Sequence, residues 1–132
     1  MQNAPTIKVE VSCGELLDKI SILELKREHA SNADQRINIE RELSILTKVR
    51  DESVQIEPNT EKVYEQLREV NRRLWSVEDD LRACERQQKF NDDFIELARS
   101  VYKLNDHRAA LKREINNLLG SSLVEEKIYG ER

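Results

Sequence analysis

In the second half of the chain, apolar residues recur at alternating steps of four and three. Val63, Leu67, Val70, Leu74, Val77, Leu81 and Cys84 form one such seam. That spacing belongs to a helix that packs along its length on a partner. Phe94, Leu97, Val101, Leu104, Leu111, Ile115 and Leu118 form a second seam, broken once, by Arg108. Folded back antiparallel, the two seams align in a single register. Cys84 then faces Phe94, Leu74 faces Leu104, Val70 faces Arg108 and Val63 faces Ile115. This register leaves only a short turn, Gln87 to Asn91, between the two helices. The pattern predicts long helices over about 60–87 and 91–119.

The first half carries a shorter hairpin. Ser12 followed by Glu15 fits a capping box, with Ser12 accepting from the Glu15 amide and Glu15 reaching back to the Ser12 amide. A helix over about 13–30 follows. It has apolar residues on two sides: Leu16, Leu17, Ile20 and Leu23 on one, Ile22 and Leu25 on the other. Such a helix is sandwiched, so a dimer through this helix or the next is expected. Ser31 to Asp34 is a break with N-cap chemistry, and Ile39, Leu43, Leu46 and Val49 mark a helix over about 33–53. Pro58 starts the second half, with Asn59 or Thr60 as cap. Gly120 is placed to end the last helix. Ile7, Val9 and Val11 alternate with polar residues, a short strand signal. These residues are expected to meet the apolar tail, Leu123, Val124, Ile128 and Tyr129. The whole reads as an all-α, antiparallel four-helix bundle of two hairpins, one domain over 1–132, with short extended segments at both termini.

Composition narrows the class. Of 132 residues, 36% are charged, with only three Gly and two Pro, a profile of long helices and not of a sandwich or an α/β fold. The net charge of −4 is spread in alternating signs, which gives solvated faces and argues against a polyanion surface. The basic residues of the last helix split between two sides without interleaved aromatics, so nucleic-acid binding is not expected. No apolar run is long enough for a membrane span. The N-terminus has no signal-peptide pattern, so a cytoplasmic protein is expected. Cys13 and Cys84 make no disulfide framework.

Candidate chemistry is sparse. Cys13 starts a helix but has no base beside it. His29 and His107 are isolated, so no metal site and no cofactor are expected. Acids cluster at Glu15–Asp18, Glu78–Asp79–Asp80 and Asp93–Glu96. Acids from the first and third helices leave open a magnesium-dependent hydrolase of nucleotides or phosphates. The sharpest anomaly is Arg108 in an apolar seam. A guanidinium there must reach solvent or find a carboxylate. Asp18, on a largely apolar face of the first helix, is the complementary oddity, and Asn105 lies one turn from Arg108. Asp18, Asn105 and Arg108 are the candidate buried polar network. Tyr64, Trp75 and Tyr102 flank the seams and form a candidate partner surface.

Three stretches carry a resemblance. They are Gly14-Glu15-Leu16-Leu17-Asp18-Lys19-Ile20-Ser21-Ile22-Leu23-Glu24, then Leu74-Trp75 with Glu78-Asp79-Asp80, then Glu96 to Tyr102 continuing through Asn105-Asp106 and Arg108 to Asn116. The chain, from about Ile7 to Tyr129, resembles a family of short bacterial helical proteins classed as a domain of unknown function. That resemblance implies no catalytic residues, cofactor or activity. The expected function is a non-enzymatic helical interaction or adaptor protein that self-associates, most simply as a homodimer.

Overall fold

Four helices follow one another in the computed structural model, which describes residues 5–123 and 125–128. They are α1 (Cys13–His29), α2 (Ala33–Ser53), α3 (Pro58–Gln87) and α4 (Asp92–Leu119). Each end has a local cause. The Ser12 side chain accepts from the Glu15 amide, Asn32 from Gln35 and Asn91 from Phe94. α3 starts earlier than the sequence suggests, at Pro58, because proline's fixed φ suits the first turn and its missing N–H costs nothing there. Glu57 holds the cap position without a side-chain bond, and Asn59 accepts from the Thr60 amide inside the first turn. Gln88 at φ 55° and Gly120 at φ 65° take the left-handed conformation that ends α3 and α4. The Ser121 amide donates to the Asn116 carbonyl, closing the last turn of α4.

α3 and α4 form the long hairpin, and α1 lies in its groove. Contacts of Asp18 with Asn71 and of His29 with Trp75 run α1 parallel to α3. Contacts of Gly14 with Asn116 and Asp18 with Arg108 run it antiparallel to α4. α2 packs on α1 and lies away from the backbones of α3 and α4, with the Arg50 side chain reaching across to Tyr64 of α3. The result is an all-α bundle with a three-helix body and a fourth helix on its flank.

Two apolar clusters share α1 between them. Leu17 joins Val63, Tyr64, Leu67, Val70, Leu74, Leu104, Leu111 and Ile115. Leu16, Ile20 and Leu23 turn the other way, onto Leu43, with Ile39, Leu46 and Val54 packed beside them. Leu16, Leu17, Ile20, Leu23 and Leu25 are all buried within one chain. The two-sided apolar pattern of α1 is therefore satisfied by α2 on one side and the hairpin on the other. It gives no reason of its own for a dimer through α1.

The termini differ from the sequence expectation. Among the described residues there is no strand, and Ile7 and Val9 are 85% and 73% exposed. An isolated strand has no neighbouring strand for any of its backbone groups, so alternation over five residues is weak without a second strand. The described part of the tail turns back along α4 instead, toward the start of α1. Val124 and Tyr129, named in the expected pairing, lie outside the described residues.

Candidate functional site

The groove between α1 and α4 holds a dense, partly buried cluster of polar and charged side chains. It begins at Gly14. A Cβ built there would stand 2.4 Å from the Lys112 carbonyl and 3.0 Å from Asn116 Oδ1. Only glycine permits this approach, and the approach allows Asn116 Oδ1 to accept from the Gly14 amide at 2.7 Å. The Ser121 hydroxyl accepts from the Cys13 amide at 3.2 Å, and Ser12 Oγ accepts from the Glu15 amide at 3.1 Å. The amides that a helix start leaves unpaired are thus met partly by α4 and the tail.

One turn further, Asp18 is 1% exposed. Arg108 donates to both of its oxygens, with Nε to Oδ1 at 3.0 Å and Nη2 to Oδ2 at 2.5 Å. The fork matches the carboxylate edge to edge, the strong form of such a pair. Asn71 Nδ2 donates to Asp18 Oδ1 at 2.9 Å and to the Ser21 hydroxyl at 2.9 Å. Asn105 is at the margin, its Oδ1 3.5 Å from Arg108 Nη1. The hydrogen bond to Asp18 raises the Arg108 pKa, against the opposing effect of burial.

Lys112 is buried more deeply than Arg108, with its side chain 9% exposed against 29%. Its ammonium group lies 2.7 Å from Glu15 Oε2, 2.8 Å from Glu125 Oε1 and 4.0 Å from Asp18 Oδ2. Burial works against its charge, but hydrogen bonds to Glu125 and Glu15 outweigh that and raise its pKa. The same bond from Lys112 lowers the pKa of Glu125. Glu15 is therefore turned to Lys112, with Lys19 at 3.7 Å, and not to the reciprocal half of a capping box. A charged partner within reach gains more than a neutral backbone amide.

Two of the three predicted network residues, Asp18 and Arg108, are thus the heart of the cluster, and Asn105 touches its edge. Sequence reasoning missed Asn71, Lys112, Asn116 and Glu125. A signal for two of them exists. Arg108, Lys112 and Asn116 follow at steps of four, a polar ladder beside the apolar seam, while Gly14, Asp18 and Ser21 make a small-and-polar stripe on α1. Asn71 and Glu125 have no such signal.

The three aromatics do not form one surface. Tyr64 is 1% exposed and belongs to the core, with the Arg68 guanidinium 3.9 Å from its ring centroid. Among the described residues its buried hydroxyl makes no well-formed hydrogen bond, although the Arg50 guanidinium of α2 approaches it, and burial raises its pKa. Trp75 is half-buried, its ring 4.7 Å from that of His29 at the end of α1. Tyr102 alone is open, at 53%. Tyr64 is lost to a partner because α1 and the hairpin close over it.

Beyond the level of Trp75 and Tyr102 the hairpin stands without α1. From Ser76 to Gln87, α3 rises about 18 Å. Here the seam residues Val77, Leu81, Cys84, Phe94, Leu97 and Val101 are only half-buried, and Phe90, Ile95 and Tyr102 are exposed. Glu78, Asp79 and Asp80 are exposed on this arm, above the end of α1 and apart from Asp18. Among the described residues no three His, Cys, Asp or Glu side chains gather as a metal-binding group, and no helix is long and apolar enough to cross a membrane.

A helical bundle with a buried ion-pair cluster at one end and a bare two-helix arm at the other defines the class of protein. The chain belongs to the family of unknown function DUF6165, which matches residues 7–131. Neither the curated proteins nor the solved structures compared with it include a match.

Proposed function

We propose that this protein is a non-enzymatic helical interaction module that self-associates through the α3–α4 arm. The observation that carries this reading is the half-exposed arm seam. A heptad pattern continued through Val77, Leu81, Cys84, Phe94, Leu97 and Val101 serves packing, yet only two helices are present to cover it. Charge supports a second copy as the partner. On α4, Asp92, Asp93 and Glu96 lie toward the tip, and Arg99 and Lys103 follow toward the body. An antiparallel second arm sets acids against bases twice over, as a two-fold contact requires. Free, half-buried Cys13 and Cys84 suit a reducing cytoplasm.

The hydrolase alternative requires Asp18 and the Glu78–Asp80 acids on one cation. The engagement of Asp18 with Arg108 and Asn71 weighs against it. Sedimentation velocity at micromolar concentration tests the proposal. The wild-type chain is expected to sediment as a dimer. A chain with Ile95→Lys and Tyr102→Lys is expected to be a monomer that still unfolds cooperatively, since both side chains are exposed within one chain. Its melting temperature is expected to be lowered only by the loss of association. A wild-type monomer, or a dimer indifferent to both changes, overturns the proposal.

A further inference from the structure

The tail crosses the α1–α4 cluster like a ligand. Glu125 sits on Lys112 at 2.8 Å, and Glu126 sits on Arg113 at 3.0 Å, so two adjacent carboxylates cover two adjacent cations. Arg113 Nη2 also lies 3.5 Å from the Glu125 carbonyl. Yet the tail is held lightly. Leu123 is 45% exposed and Ile128 92% exposed, so little apolar surface fixes it. The Glu126–Arg113 pair is exposed on both sides, at 67% and 47%, and such a pair holds weakly; Glu125, 44% exposed, reaches down to the buried Lys112.

The floor beneath it is the reverse. Lys112 and Arg108 also pair with Glu15 and Asp18, which belong to α1 and not to the tail. Cavities of about 180 and 240 Å³ both have Glu125 in their walls. The larger is lined by Glu15, Asn105, Arg108, Lys112, Glu125 and Lys127. Arg108 Nη1 borders it with only the 3.5 Å contact to Asn105, so it retains donor capacity. Charge counting fits an exchange of like for like. Displacing the tail removes Glu125, Glu126 and Lys127 together, a net loss of one negative charge, and uncovers Lys112 and Arg113.

We propose that this groove is a docking site for an extended acidic peptide segment of a partner protein, and that the tail is its displaceable intramolecular occupant. Two neighbouring carboxylates on the incoming segment take the places of Glu125 and Glu126 on Lys112 and Arg113. Tail and partner then compete, and the tail sets the threshold for binding. The site is independent of the arm and does not depend on self-association.

The test uses the full-length chain and a fluorescent peptide bearing two adjacent glutamates among serines and alanines, with a glutamine-substituted peptide as control. Neutralising the tail by Glu125→Gln with Glu126→Gln is expected to tighten binding of the acidic peptide by about tenfold or more. Adding Arg113→Ala is expected to undo the gain. Hydrogen exchange supplies the second readout, since tail amides should exchange faster in the neutralised chain with α1 and α4 unchanged. No tightening, equal binding of the glutamine peptide, or unaltered tail exchange overturns the proposal. So does a self-association that survives Ile95→Lys but disappears on tail neutralisation, because the occupant is then a second copy's tail.

Discussion

The two ends of the α3–α4 hairpin follow the same heptad rule and end in opposite states. At the body, Val63, Leu67, Val70, Leu74, Leu104, Leu111 and Ile115 are buried. At the arm, Val77, Leu81, Leu97 and Val101 are half-buried. The residue types barely differ; the third helix does. α1 covers the seam at the body and stops at His29, where its ring meets Trp75. A two-helix layer can shield its seam from one side only. The body, in turn, accommodates buried charge that the arm does not carry, because α1 brings Asp18 and Glu15 to Arg108 and Lys112.

The largest test of this contrast is at Asp18. Asp18→Ala strands Arg108 and leaves Asn71 short of an acceptor, and removing one partner of a buried pair costs about 3–5 kcal/mol. Replacing both partners, Asp18→Leu with Arg108→Met, is expected to cost less than Asp18→Ala alone, since no unpaired charge stays behind. Chemical denaturation of the three chains decides it. A double variant less stable than the single one means that Lys112 and Asn71, not Arg108, set the fate of Asp18.

The apolar contrast comes next. Leu67, 0% exposed, is expected to lose about 2–5 kcal/mol on truncation to Ala. Leu81 occupies the same seam in the arm; in a free arm, where water reaches it, truncation is expected to cost about 1 kcal/mol, and in a dimer that covers the arm the cost rises toward that of Leu67. The same denaturation series measures both. Equal losses mean that the arm is covered in solution, as the self-association proposal requires, and the gap reopens if the measurement is repeated on the Ile95→Lys, Tyr102→Lys chain.

The smallest effect is the pH response of the tail. Glu125 has its pKa lowered from 4.5, so its contribution is complete above that value and is lost as pH falls through the folded one. Lys112 has its pKa raised from 10.5, so its contribution is complete below that value and fades as pH rises through the folded one. Glu15, Asp18 and Lys127 face the same pair. The tail should therefore stay docked across neutral pH and open first on the acid side. Hydrogen exchange of the tail amides, corrected for intrinsic rates, reads this directly, and α4 protection that is lost at the same pH contradicts an independent latch.

What the sequence carried by itself was local and periodic. Four helices, their turns and most caps were legible, because spacing and capping act within a few residues. Arg108 and Asp18 stood out as polar residues on apolar faces, an oddity visible without a structure. Partners across long separations were decided only by the tertiary arrangement. Asn71 meets Asp18 and Glu125 meets Lys112 because helices converge and a tail folds back, and no spacing records that. The same holds for Glu15, which the capping pattern claimed and Lys112 took. It holds for Tyr64 as well, a flank residue by spacing and a core residue once α1 lay over it. The length of α1 relative to the hairpin set which part of the seam became core and which became surface, since burial depends on what stands opposite and not on the residue alone.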